Sequence, residues 1–337
     1  MVLMDRCRGL ASGAFARELV HKQVTTLVQL QTPVASGEGS EPLHQMRVAM
    51  RRLRTTLIQF EPALQLPAAV NDQRLAKWVR RLGLARDLDV LRERLEDGFL
   101  PQLPAAEVKA MRPVLRQLRR ERQLAHGQVV EVLQSRSYLE GLAQLQRWLK
   151  EPAFTSLGEQ PISQWVVEWQ GPAVSGLFLH PGWQISKDSV EKNATATEQL
   201  HELRRQLKQV RYLLENLAPL QGAATAPWIS RFKQGQELLG EWNDLQVLQS
   251  AIHDQVPGRF EDTMPQLEWL LVQNQRHCWL QWRELVDELL PQRQRRRLRL
   301  ALLAEPLPAG PRSWLAKCVA GHIVYVAQLL VLALLYR

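Results

Sequence analysis

Residues 44–54 read HQMRVAMRRLR, and residues 201–211, which lie 157 positions later, read HELRRQLKQVR. Both stretches follow the pattern H-x2-R-x3-[RK]-x2-R. In an α-helix, positions i, i+3, i+7 and i+10 fall within an arc of about 80°. Each stretch therefore predicts a helix that carries a row of cations on one face. We name these rows the first basic ridge (His44, Arg47, Arg51 and Arg54) and the second basic ridge (His201, Arg204, Lys208 and Arg211).

The same offset of 157 residues relates positions outside the ridges. Pro62 matches Pro219, and Arg74 matches Arg231. The Leu-Gly pair at 82–83 recurs at 239–240, and RDLDV at 86–90 corresponds to NDLQV at 243–247. A register kept over this length indicates an internal repeat, so the chain contains two related halves.

The composition predicts a folded protein with an acidic partner. Of 337 residues, 45% are hydrophobic, which is ample for a buried core. Lys and Arg number 43 against 34 Asp and Glu, so the formal net charge is +9. Such a balance favours nucleic acid, an anionic membrane surface or a phosphate polymer as the partner. The three isolated cysteines and the absence of a signal-like N-terminus predict a cytoplasmic protein without a disulfide framework or a zinc site.

Periodicity predicts an all-α fold. Helical patterns in the first half cover 17–31, 43–60, 72–95, 105–133 and 138–150; those in the second half cover 197–217, 228–255, 264–290 and 292–303. Between the halves, residues 151–191 are rich in Pro and Gly. This stretch predicts a connector with one short helix, whose aromatic residues Trp165, Trp169 and Trp183 pack on the bundles.

Four segments resemble the CHAD family, the histidine-containing α-helical domain. In the first half they are residues 44–54 and 82–90, the latter reading LGLARDLDV. In the second half, 200–215 read LHELRRQLKQVRYLLE and 239–244 read LGEWND, similar to the family patterns H-x-L-R-x3-K-x2-R-Y-x2-E and L-G-x-x-N-D. The chain departs from the family at Gln209, where a second basic residue often follows, and at Trp242, which replaces a smaller apolar residue.

The resemblance implies two pseudo-symmetric four-helix bundles that form one internally duplicated domain over residues 10–303. Its first half would span about 10–150, its connector 151–191 and its second half 192–303. Basic helix faces would line a central groove that binds inorganic polyphosphate without catalysis, cofactor or metal. All eight ridge residues would contact phosphate.

The chemistry of the ridges agrees with a phosphate polymer. Arginine stays protonated and donates bidentate hydrogen bonds to phosphate oxygens. No acidic residue lies between His44 and Arg54, so the carboxylates that normally offset a cationic helix face are missing there. On the following helix, Arg74, Lys77 and Arg81 form a further row, from which we expect Lys77 and Arg81 to line the opposite wall. Arg52 and Arg205 fit a groove or a solvated surface equally well.

Three aspartates allow an enzymatic alternative. Asp87, Asp89 and Asp244 suggest either a metal-dependent phosphohydrolase or polyphosphate-processing enzyme, or carboxylates that orient the arginines from behind. We favour the second role, and the chain lacks the common nucleotide-binding and hydrolase motifs. Gly83 and Gly240 lie inside helical patterns and predict close helix crossings.

Two further alternatives concern partners. Single-stranded nucleic-acid binding would rest on charge alone, because most tryptophans occupy apolar helical positions that predict core packing. In the C-terminal tail, 304–337, residues 318–336 carry no charged side chain over 19 positions. This length allows either a membrane anchor or an amphipathic segment docked on the bundle. The expected location is therefore the cytoplasm, at polyphosphate granules or tail-anchored to a membrane.

Overall fold

The computed structural model describes residues 9–253 and 260–303, and these residues are almost wholly helical. Their contacts of β type are the isolated bridges Ala11 to Pro161 and Leu64 to Phe154. The expected all-α fold is confirmed. The first set of helices is α1 (Ser12–Ser36), α2 (Glu41–Gln59), α3 (Asp72–Glu93), α4 (Ala105–Ala110), α5 (Arg112–Gln134) and α6 (Arg136–Lys150). The second set is α7 (Val166–Leu179), α8 (Lys187–Lys192), α9 (Ala194–Gln221), α10 (Ala226–His253), α11 (Phe260–Thr263), α12 (Pro265–Leu289) and α13 (Gln292–Leu303).

The predicted helix over 105–133 is two helices in the structure. The break falls at Met111, between α4 and α5. Pro113 lies two residues later, and a proline lacks the N–H donor and restricts the residue before it. The chain therefore starts a new helix with its proline in the first turn, where the missing donor costs nothing.

The first half is a closed bundle. Helices α1, α2, α3 and α5 pack in chain order, α5 also contacts α1, and α6 covers both α1 and α5. Met46, Met50 and Leu53 of α2 are at most 1% exposed, so the apolar side of this helix is sealed in the core. The opposite side of α2 carries the first basic ridge.

The second half includes a helix that we expected in the connector. Helix α7 packs against α9, and the neighbouring pairs α9 with α10 and α10 with α12 complete the bundle, with α13 against α7 and α12. The aromatic residues of the connector pack as expected: Trp183 is 2% exposed and stacks on Trp282 of α12 at 5.4 Å between ring centroids. Trp169 of α7 lies 5.1 Å from Phe60 of the first half.

The two halves meet along α2 and α9, the helices that carry the two ridges. The Asn216 side-chain amide donates to Thr56 Oγ1 at 3.1 Å and to Gln59 Oε1 at 2.9 Å, and all three residues are buried. A second joint lies at α12, where Glu107 of α4 accepts hydrogen bonds from the backbone N–H groups of Gln266 (3.0 Å) and Leu267 (2.9 Å). These joints fix how the two ridges lie relative to each other.

The tail lies outside the described residues, so the membrane-anchor and docking alternatives for 318–336 stay predictions, as does the cytoplasmic location. None of the helices within 9–253 and 260–303 combines the length and hydropathy that a bilayer crossing requires. Cys278, on α12, is 3% exposed and has no cysteine partner there.

Candidate anion-binding site

Each ridge sends one arginine across the face of the next helix in its own half. From α2, Arg47 Nη1 donates to the carbonyl oxygen of Gly83 (2.5 Å) and to Asp87 Oδ1 (3.0 Å), both on α3. From α9, Arg204 Nε donates to the carbonyl oxygen of Gln236 on α10 at 3.4 Å. Arg47 and Arg204 occupy equivalent positions of the repeat, and each donates to a backbone carbonyl of the next helix. The acceptors differ, because Gly83 corresponds to Gly240 and Gln236 lies one turn before it.

The two repeated glycines make room for these guanidinium groups. A Cβ atom added to Gly240 would lie 2.7 Å from Nη2 of Arg204, and one added to Gly83 would lie 3.8 Å from Nη2 of Arg47. The first distance is a clash, and the second is an ordinary contact. The sequence predicted close helix crossings at these glycines. What crosses them is an arginine side chain, and it approaches more closely in the second half.

Cations from both ridges share one electrostatic environment. Burial lowers the pKa of the Lys208 amine to about 7, assisted by Arg51 and Arg204 and then by Arg47 and Arg211. Since α2 and α9 belong to different halves, cations from both halves act on the same amine. We call this set the cationic cluster: Arg47, Arg51, Arg204, Lys208 and Arg211.

The cluster contains more donors than the protein satisfies. The Nε atoms of Arg47, Arg51 and Arg211 are buried and make no hydrogen bond within the described residues. An unpaired buried donor costs roughly 1–3 kcal/mol. An anion with several oxygens would supply the acceptors and offset the repulsion between the cations.

The two histidines head their ridges as expected. Burial lowers the pKa of His44, and the nearby Arg86 lowers it further. Burial also lowers the pKa of His201, against the opposing effect of Glu198. Both imidazoles are therefore neutral near pH 7, each able to donate one N–H.

Two of the three aspartates lie at the cluster. Asp87 accepts from Arg47 while its side chain is 67% exposed. Burial raises the pKa of Asp244, and Arg204 and Arg94 oppose this shift. Burial lowers the pKa of Arg204, whereas Asp244 and then Asp87 raise it. This arginine therefore interacts electrostatically with one carboxylate from each half.

Asp89 does not take the expected position behind the ridge arginines. It is 1% exposed and binds Arg122 of α5, with Oδ1 at 2.9 Å from Nε and Oδ2 at 3.4 Å from Nη2. Positions two residues apart on a helix differ by about 200°, so Asp87 and Asp89 point in opposite directions. Asp89 therefore belongs to the core of the first half. The described residues contain no group of three or more His, Cys, Asp or Glu side chains placed to hold a metal ion.

Arg52 and Arg211 meet at a carboxylate from the second half. Arg211 is 9% exposed, with its guanidinium 4.5 Å above the Tyr212 ring and 3.5 Å from Glu215. Arg52 binds Glu215 at 2.6 Å and lies 4.9 Å from the same ring. Arg52 therefore links the halves, whereas Arg205 is 62% exposed and paired with Glu198 and Glu202.

Three predicted contacts are not brought into the cluster. Arg54 binds Asp72 through two hydrogen bonds, 2.5 Å and 3.0 Å long. Lys77 and Arg81 are exposed on α3, about 80° and 120° around the helix from Asp87. They face solvent rather than forming a wall opposite the ridge.

Sequence reasoning missed two arginines next to the cluster. Arg86, with a side chain 16% exposed, binds Glu93 at 3.1 Å and acts on His44 and Arg47. Arg94 donates to the backbone carbonyl of Glu241 in the other half at 3.1 Å. Arg86 lies in the repeated 86–90 segment, but its counterpart in the second half is Asn243, so the repeat gave no signal for a basic residue there.

The sequence match that identifies the family covers most of the site described above. The CHAD domain matches residues 18–253, which include both ridges and both glycines. The chain belongs to the CHAD family. This family is associated with polyphosphate binding.

Two solved structures share the fold. The crystal structure of the CHAD domain from the plant Ricinus communis is 20% identical with a TM-score of 0.58, and the match covers 89% of this chain and 94% of that one. PptA from Streptomyces chartreusis is 19% identical with a TM-score of 0.58, covering 82% of this chain and 98% of that one. No curated protein sequence matches the chain.

Proposed function

We propose that this CHAD protein binds inorganic polyphosphate, without catalysis, in a groove lined by the cationic cluster. The observation that carries the proposal is the packing of α2 against α9, which brings cations of both ridges together, and the lowered pKa of Lys208 agrees with this arrangement. From His44 to Arg51 the first ridge extends about 10 Å along α2, and from His201 to Arg211 the second ridge extends about 15 Å along α9. A site of this length suits a chain of phosphates better than a single phosphate ion.

The aromatic residues favour polyphosphate over single-stranded nucleic acid. Binding of single strands commonly uses exposed aromatic rings on which bases stack. The tryptophans next in sequence to the basic helices are buried instead: Trp78 is 4% exposed, Trp228 7% and Trp242 5%. A site that offers guanidinium groups without stacking surfaces recognises phosphate and not bases.

The carboxylates favour binding over hydrolysis. A phosphohydrolase built on Asp87 and Asp89 would need both carboxylates to face one phosphate. Asp89 points into the core and is engaged by Arg122, and Asp87 is hydrogen-bonded to Arg47. The one aspartate pair that the sequence offers for metal chemistry is thus divided between two sides of α3.

The proposal is tested by titrating the protein with long-chain polyphosphate, single-stranded RNA and single-stranded DNA at equal phosphate concentration over a series of salt concentrations. We expect preference for polyphosphate and a slope of log K against log salt near −3.5, from about 0.7 per phosphate contact for five cations. Incubation with Mg²⁺ or Mn²⁺ should leave the polymer length unchanged. Equal affinity for RNA would favour nucleic-acid binding, and shortening of the chain that Asp87→Ala abolishes would favour the enzyme.

The glycine contacts predict unequal effects of two matched substitutions. Gly240→Ala is expected to lower polyphosphate affinity about five- to tenfold, because its methyl group would displace the Arg204 guanidinium. Gly83→Ala adds a methyl group in ordinary contact distance of Arg47, so its affinity should stay within about twofold of wild type. Fluorescence anisotropy with labelled polyphosphate measures both. Equal losses would show that the arginine positions at these glycines do not matter for binding.

The pKa of Lys208 predicts a pH dependence. In the free protein the amine is half neutral near pH 7, and bound phosphate would raise its pKa, so the complex takes up a proton. Polyphosphate affinity should therefore rise about tenfold between pH 8 and pH 6. Lys208→Arg keeps its charge at both pH values and should remove most of this rise. An unchanged pH profile in Lys208→Arg would contradict the assignment.

A further inference from the structure

The last described helix presents arginines that the polyphosphate proposal does not use. Helix α13 has the sequence QRQRRRLRLALL, which contains five arginines and no acidic residue. Arg295 donates Nε to the backbone carbonyl of Leu290 at 2.9 Å and so closes the end of α12. The remaining four are exposed and make no hydrogen bond or ion pair within the described residues: Arg293, Arg296, Arg297 and Arg299.

Leucines divide α13 into a docked and a free side. Leu298 and Leu302 are 0% and 5% exposed and hold the helix on the bundle. Leu300 and Leu303 are 58% and 60% exposed. At 100° per residue, these two lie among the four free arginines, and all six side chains occupy an arc of about 160°. The free side of α13 is therefore basic and apolar together.

We propose that the free side of α13 is a docking surface for an anionic lipid bilayer. Guanidinium groups spread over a convex helix face meet many separate lipid phosphates, and leucines between them enter the boundary between headgroups and acyl chains. A soluble phosphate polymer would leave both leucines in water, so it explains the charges but not the apolar residues. The surface fits a membrane better than a second segment of polyphosphate.

The position of α13 keeps this surface separate from the cationic cluster. The helix packs on α7 and α12, and its Leu302 carbonyl accepts a hydrogen bond from Gln221 at the C-terminal end of α9 at 3.1 Å. Gln221 lies ten residues, or about 15 Å, beyond Arg211, the last cluster residue of α9. The proposal therefore does not depend on the proposed function. In the chain, α13 precedes the uncharged segment 318–336 by fourteen residues, so the sequence following it is also suited to a bilayer.

The test uses the full chain and co-sedimentation with sucrose-loaded vesicles of phosphatidylcholine, with and without about 30% phosphatidylglycerol. We expect binding to the anionic vesicles to be at least tenfold stronger. Gln at all four free arginines should weaken that binding at least about a hundredfold, from about fivefold per arginine near an anionic surface. Leu300→Ser with Leu303→Ser should weaken it about tenfold. Both variants should keep wild-type circular dichroism and polyphosphate affinity.

A matched control removes the same charge elsewhere. Arg112, Arg116, Arg119 and Arg120 are exposed on α5, and Gln at these four positions should leave vesicle binding within about threefold of wild type. If the control variant loses as much vesicle binding as the α13 variant, the effect depends only on net charge and the proposal is wrong. Equal binding to neutral and anionic vesicles, or a serine variant that binds like wild type, would also overturn it. An α13 variant that loses polyphosphate affinity but keeps vesicle binding would assign the surface to the polymer instead.

Discussion

Alanine at Arg47, Arg51, Arg204 and Lys208 together is expected to lower affinity for long-chain polyphosphate at least a thousandfold. A hydrogen bond to a charged group contributes roughly 1.5–3 kcal/mol, and a thousandfold loss corresponds to only about 4 kcal/mol. The expected loss is therefore smaller than the sum of four such hydrogen bonds, which allows for strong non-additivity among the four substitutions. Anisotropy titration with labelled polyphosphate measures the loss.

The same variant should stay folded. Burial lowers the pKa of Lys208 and the neighbouring arginines lower it further, so removal of the four cations relieves both the cost of burying charge and their mutual repulsion. Circular dichroism and the urea midpoint should therefore match or exceed those of wild type. Loss of helical signal would mean that the cluster is needed for folding, and its binding data would then say nothing about phosphate.

The outer face of α3 offers a control with the same change in charge. Arg74, Lys77, Arg80 and Arg81 are all exposed, and alanine at these positions should reduce affinity by about threefold or less. A loss as large as in the cluster variant would show that the polymer contacts α3, where the sequence predicted that Lys77 and Arg81 line the opposite wall of the groove. Unchanged affinity in the cluster variant would exclude the groove.

The second large effect concerns stability. Asp89→Ala is expected to lower the free energy of unfolding by about 3–5 kcal/mol, because it leaves the Arg122 guanidinium, 18% exposed, without its carboxylate. Urea denaturation followed by circular dichroism measures this. Asp87→Ala removes a carboxylate that is 67% exposed and screened by solvent, so the loss should be below about 1 kcal/mol.

The contrast between the two aspartates separates the competing functions. In a binding protein, Asp87→Ala keeps polyphosphate affinity or raises it, since a negative charge leaves the cluster. In a metal-dependent phosphohydrolase, both carboxylates would face the metal, so both substitutions would abolish turnover without a difference in stability. Equal stability of the two variants would contradict the buried pair of Asp89 with Arg122.

Local periodicity predicted much of this site. The spacing of the ridges placed Arg47 and Arg204 on single helix faces, and the 157-residue register matched them to each other. The same rule, applied to Asp87 and Asp89, would have put them on opposite sides of α3, because two residues correspond to about 200°. That error arose from reading the aspartates as neighbours in sequence.

Other features required tertiary contacts that no spacing reveals. The pairing of Arg52 with Glu215 joins residues of different halves, and their equivalents in the repeat, Gln209 and Ile58, cannot form an ion pair. The sequence predicted one short helix in the connector, but not that this helix, α7, packs into the second bundle: Gly171, Pro172 and Gly176 weaken its helical pattern, and the helix is held by packing on α9.

The contact of Glu107 with α12 controls how fast two backbone amides exchange their protons with solvent. The amide protons of Gln266 and Leu267 lie at the start of a helix, where backbone N–H groups usually face water and exchange rapidly with solvent deuterium. Here a carboxylate from the other half covers both. These two amides can exchange with deuterium only when the two bundles separate at this contact. Their exchange rates therefore report how often that separation occurs.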